Sequence, residues 1–113
     1  MITIYHNPRC SKSREGIAYL EEKGISFDVI KYLDAPLSKE EIMAVLKKLN
    51  IPAMELVRTK EAIWKEQFAG EALTEEKIIE ILAQNPKLIE RPIVVHDHRA
   101  VIARPTEKID EIL

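Results

Sequence analysis

Cys10 is the only cysteine in the 113-residue chain, and three cations stand close to it: Arg9, Lys12 and Arg14. Ile2 to Tyr5 has strand character, Asn7-Pro8 signals a turn, and a helix-forming stretch begins just after Cys10. This order places the sulfur at a strand-to-helix corner. Free N–H groups and the positive end of the backbone dipole at a helix start favour a thiolate over a thiol. Neighbouring cations lower a cysteine pKa further. The chemistry implied is that of an activated nucleophile beside an anion-binding cradle. The competing reading, a cysteine serving as a small buried hydrophobe, leaves the basic neighbours unexplained.

A lone cysteine excludes an internal disulfide, so a redox cycle must draw its second thiol from another molecule. With 17 Lys and Arg against 19 Asp and Glu, the formal charge is -2, and no general attraction to nucleic acid follows. Any basic site is local. No long apolar run or signal-peptide pattern is present, which points to a cytoplasmic protein that does not enter a membrane. The length suits one domain, 1–113, expected to act as a monomer.

The elements that must hold Cys10 follow from patterning. Ser11 to Lys23 reads as a helix stopped by Gly24, and Phe27 to Tyr32 as a second strand, giving a right-handed βαβ unit. A helical insert at about 38–85 comes next. Ser38 and Glu41 form a capping-box pattern ahead of Ile42, Val45, Leu46 and Leu49. After the apolar segment Ala53 to Val57, Thr59 to Phe68 reads as a helix, and Thr74 caps another that Asn85-Pro86 ends. Ile93-Val94-Val95 and Val101-Ile102-Ala103 then flank an Asp97-His98 turn as a hairpin, and a last helix ends at Ile112-Leu113. The architecture expected is α/β, a mixed four-stranded sheet with the helical insert between its βαβ and ββα halves. A cysteine after the first strand and a proline before the third make this order similar to a thioredoxin-type sheet. That likeness implies a cis peptide at Pro92, where composition alone assigns a trans bend.

Arg58, Arg91 and Arg104 stand at element boundaries, where side chains of an α/β domain tend to face a ligand crevice. Guanidinium groups suit a tetrahedral oxyanion because they stay charged and donate paired hydrogen bonds. His96 and His98 read as turn residues. No ligand spacing accompanies them, so no metal site is expected.

The segments Ile4 to Arg14, Glu55 to Arg58, Asn85 to Val95 and Arg104-Pro105, in that order, resemble the glutaredoxin-linked arsenate reductases of the ArsC family. The resemblance covers nearly the whole chain and is strongest to a compact branch. Longer members carry Cys-Gly-Thr-Ser where this chain has Cys10-Ser11-Lys12-Ser13, together with a C-terminal extension. The resemblance implies that Cys10 attacks arsenate and that Arg58, Arg91 and Arg104 bind the oxyanion, with Arg14 and Lys12 adding positive charge. It implies that His6 influences the cysteine and that Ser13 supports the thiolate. Glutathione is the implied co-substrate and glutaredoxin the partner, with no bound cofactor. Two other readings use the same fold: a monothiol glutaredoxin-like oxidoreductase, and a regulator similar to the Spx proteins, in which a second cysteine stands where this chain has Ser13. The phosphatase-type loop Cys-x5-Arg is absent, since its arginine position is Gly16.

Overall fold

A computed structural model describes residues 1–113, and the chain divides into two units, Met1–Ala35 with Arg91–Leu113, and Pro36–Glu90. No helix is long and apolar enough to cross a membrane.

The first unit is built on strands β1 (Ile2–Tyr5), β2 (Phe27–Ile30), β3 (Ile93–His96) and β4 (Arg99–Ile102), arranged in the order β2-β1-β3-β4. β1 runs parallel to β2 and antiparallel to β3, which pairs antiparallel with β4, making the sheet mixed. Helix α1 (Ser11–Glu22) connects the parallel pair, as a crossover must. It ends in a Schellman arrangement: Gly24 adopts φ 68°, its N–H bonds the Glu21 carbonyl at 3.0 Å, and Ile25 N–H bonds that of Leu20 at 3.2 Å. The alternating apolar residues Ile2 and Ile4 pack with Leu20, Val94 and Val101 in one core, closed from the C-terminal side by Ile109 and Ile112.

The second unit holds α2 (Lys39–Leu49), α3 (Ala62–Gln67) and α4 (Glu75–Gln84). Ser38 and Glu41 close a complete capping box at the start of α2, and Thr74 Oγ1 accepts from Lys77 N–H to start α4. A short bridge pairs Val57 with Ile89, reinforced by Arg58 N–H to the Leu88 carbonyl at 2.7 Å and Glu90 N–H to that of Leu56 at 2.8 Å.

Four boundaries depart from the sequence reading. The helix expected over Thr59 to Phe68 starts only at Ala62, because Thr59 and Lys60 form a turn after the Val57 bridge, closed by Glu61 N–H to the Arg58 carbonyl at 3.1 Å. β2 ends at Ile30 rather than Tyr32. β4 begins at Arg99, since the turn is a two-residue one with Asp97 at φ 56°, and strand pairing resumes at once as His96 opposite Arg99. The last helix is a 3₁₀ segment, Thr106–Ile112. Its buried residues Ile109 and Ile112 are three apart, and that spacing aligns side chains on a 3₁₀ helix.

Candidate active site

Cys10 occupies the N-cap of α1 with extended backbone (φ -95°, ψ 123°), and only 8% of its surface is exposed. The preceding loop is fixed by its own backbone. Cys10 N–H donates to the Asn7 carbonyl at 3.0 Å, Asn7 Oδ1 accepts from Arg9 N–H at 3.0 Å, and His6 N–H bonds the Ile30 carbonyl at 2.8 Å. The sulfur is thereby held at the first turn of the helix.

Burial alone would raise the Cys10 pKa. The Ser13 N–H, the charge and hydrogen bonding of Arg91, and the Lys12 N–H outweigh that effect, and the thiol lies below its ordinary value. Two of these groups are helix-start donors and the third arrives from just before β3. The Arg91–Pro92 peptide is cis, and Arg91 Nε and Nη1 are buried without a hydrogen-bond partner in the protein. Buried guanidinium donors left open beside this sulfur make a seat for an anion, because an unpaired buried polar group is costly unless a ligand completes it.

Ser13 is wholly buried and faces two ways. Its N–H acts on the sulfur, while its Oγ accepts from Asn7 N–H at 2.9 Å and lies 2.6 Å from His6 Nδ1. Burial, and then the charges of Lys31 and Arg14, lower the His6 pKa. The short contact between His6 Nδ1 and Ser13 Oγ, with the Asn7 N–H on the same oxygen, ties the loop to the first turn of α1. Gly16, one turn further along α1, lets the helix approach the sheet. A Cβ there would come within 3.2 Å of both Ile4 Cδ1 and Pro92 Cγ.

The other cations named from sequence behave differently. Lys12 Nζ pairs with Glu15 at 3.4 Å, and Arg14 Nη1 donates to the Pro8 carbonyl at 2.9 Å, both on exposed side chains. The influences that lower the Cys10 pKa are backbone N–H groups and Arg91 rather than the ammonium of Lys12 or the guanidinium of Arg9 or Arg14. Arg104 is exposed, and its peptide bond to Pro105 is a second cis bond, for which the sequence carried no signal. Arg58 belongs to the second unit. There its Nη1 donates to Glu61 Oε1 at 3.1 Å and to the Lys87 carbonyl at 3.3 Å, and its Nε lies 3.9 Å from Glu90 Oε1.

A mixed four-stranded sheet with an acidified thiol at the start of its first helix and a cis-proline before β3 defines a thioredoxin-like protein of the cysteine-dependent type. The family model described as "ArsC family" matches residues 5–112, and the chain belongs to that family. It is 46% identical to the Escherichia coli K12 protein YfgD, covering 99% of this chain and 96% of that one. It is 40% identical to an arsenate reductase of Neisseria meningitidis serogroup B, covering 99% and 97%. A solved arsenate reductase from Vibrio cholerae superposes with a TM-score of 0.96 at 44% identity, covering 99% of this chain and 97% of that one.

Proposed function

We propose that the protein is a cytoplasmic, monomeric arsenate reductase that uses glutathione and glutaredoxin. The observation that carries the reading is the acidified Cys10 beside Arg91, whose Nε and Nη1 are buried and open. Arsenate is largely a dianion near neutral pH, so a thiolate approaching it meets repulsion that fixed cations must offset. Arg91 supplies that offset at the sulfur, with Arg104 of the same unit as a further oxyanion ligand. Relatives named arsenate reductase align over 99% of the chain.

In the proposed cycle the Cys10 thiolate bonds to arsenic(V) and one arsenate oxygen leaves as water after protonation. Glutathione forms a second sulfur–arsenic bond, releasing another water. The glutaredoxin thiolate attacks the glutathione sulfur; the sulfur–arsenic electron pair stays on arsenic, giving arsenic(III) on Cys10 and a glutaredoxin–glutathione mixed disulfide. Water then frees arsenite and returns the thiol. Two thiols are oxidised to one disulfide as arsenic gains two electrons. His6 and Ser13 hold the loop so that the helix-start N–H groups face the sulfur throughout.

The test is arsenate-dependent NADPH consumption coupled through glutathione, glutaredoxin and glutathione reductase. The native chain is expected to turn over and Cys10→Ser to give background only. Equal rates for the two would end the assignment.

A further inference from the structure

Two side chains of α1 reach back over the turn that delivers Cys10. Ser13 Oγ holds it from the buried side, through His6 Nδ1 at 2.6 Å and Asn7 N–H at 2.9 Å. Arg14 holds it from the solvent side, where Nη1 donates to the Pro8 carbonyl at 2.9 Å. The family resemblance gives Arg14 only the role of added positive charge for the oxyanion. That charge is not among the influences on the sulfur, where burial is opposed by the Ser13 N–H, Arg91 and the Lys12 N–H. It acts instead on His6, whose pKa is lowered by burial and then by the charges of Lys31 and Arg14.

The carbonyl that Arg14 holds lies at the centre of a four-residue turn, Asn7 to Cys10, closed by Cys10 N–H on the Asn7 carbonyl at 3.0 Å. Pro8 and Arg9 are its central residues. Proline at the first central position fits both common turn types, which differ by a half-rotation of the peptide between the two central residues. Here that peptide is gripped at both ends. Its N–H, on Arg9, donates to Asn7 Oδ1 at 3.0 Å, and its carbonyl, on Pro8, accepts from Arg14. The non-glycine residues with positive φ are Asn50 and Asp97, so Arg9 does not take the left-handed conformation that the flipped peptide demands. Fixing this peptide fixes the direction in which the chain enters Cys10.

We infer that Arg14 is a positioning residue, bracing the turn ahead of the nucleophile through the Pro8 carbonyl, and not a ligand of the oxyanion. A lost ligand weakens substrate binding and raises KM. A lost brace leaves binding intact and lowers the fraction of time the sulfur is aligned for attack, which lowers kcat.

Arg14→Met keeps an apolar stem and good helix propensity while removing every donor, and Arg14→Lys returns a charge and a donor. The side chain is exposed, so both variants should keep the native urea midpoint. In amide hydrogen exchange of the full chain, Arg9 and Cys10 N–H should exchange about tenfold faster in Arg14→Met and close to the native rate in Arg14→Lys. In the coupled assay Arg14→Met should lower kcat about fivefold with the arsenate KM unchanged, and Arg14→Lys should restore most of the loss. A raised arsenate KM, native exchange at Arg9 and Cys10, or faster exchange with native kcat overturns the brace. Only the kinetic arm rests on the arsenate reductase reading. Absence of arsenate turnover by the native chain ends that reading, and exchange that quickens in Arg14→Met and recovers in Arg14→Lys then upholds the brace by itself.

Discussion

At the start of α2, Ser38 and Glu41 satisfy each other's backbone donors in a closed capping box, whereas α1 begins at Cys10 and presents its first-turn N–H groups to a sulfur. The first arrangement stabilises a helix and leaves nothing for a ligand. The second gives up a conventional oxygen cap and lowers the pKa of a nucleophile. A similar contrast holds among the arginines. Arg58 is engaged by Glu61, Glu90 and the Lys87 carbonyl, while two buried guanidinium nitrogens of Arg91 have no protein partner. Donors the chain leaves unpaired next to Cys10 mark the place where an anion belongs.

The contrast is broken most severely by removing Arg91. Arg91→Ala is expected to lower arsenate turnover by tenfold or more, on the order of a few kcal/mol of transition-state stabilisation. Steady-state kinetics of a variant with a native circular dichroism spectrum checks this, and unchanged turnover would remove Arg91 from the site. Ser13→Ala strips the buried acceptor from Asn7 N–H and the partner from His6. Leaving a buried N–H unpaired should cost about 1–3 kcal/mol, read as a lower urea midpoint, with slower alkylation of Cys10 as the loop loosens. Ser38→Ala sharpens the comparison from the other side. It should cost about 1 kcal/mol of stability by the same denaturation measurement and leave Cys10 alkylation at the native rate. A changed alkylation rate would show that the two helix starts are not separate devices.

Much of this was legible in the sequence because local rules and tertiary structure agree. Ile2 to Tyr5 alternates as a half-buried strand, Ser38 with Glu41 spells its cap, and Gly24 stops α1 as its position suggests. What was not legible depends on residues distant in sequence. Arg9, Lys12 and Arg14 are near Cys10 along the chain, yet Arg91, 81 positions further on, carries the charge that acts on it, because β3 pairs with β1 and delivers that side chain. Ser13 has a role in the sequence only through the family resemblance, since its local pattern is that of a polar helix residue; the physical reason, its buried contact with His6, needs β2 placed beside β1. The 3₁₀ form of Thr106–Ile112 is set by which side chains the core accepts, and composition alone suggests an α-helix there.

The most direct test of the central claim is the rate of Cys10 alkylation by iodoacetamide as a function of pH, with and without arsenate. Because the Cys10 pKa is lowered, the thiolate should persist below the ordinary thiol range and disappear only as pH falls through the depressed value. The account predicts a half-maximal rate at a pH below that of an unstructured cysteine, and saturable protection by arsenate that Arg91→Ala weakens. An ordinary thiol titration with no protection would contradict it.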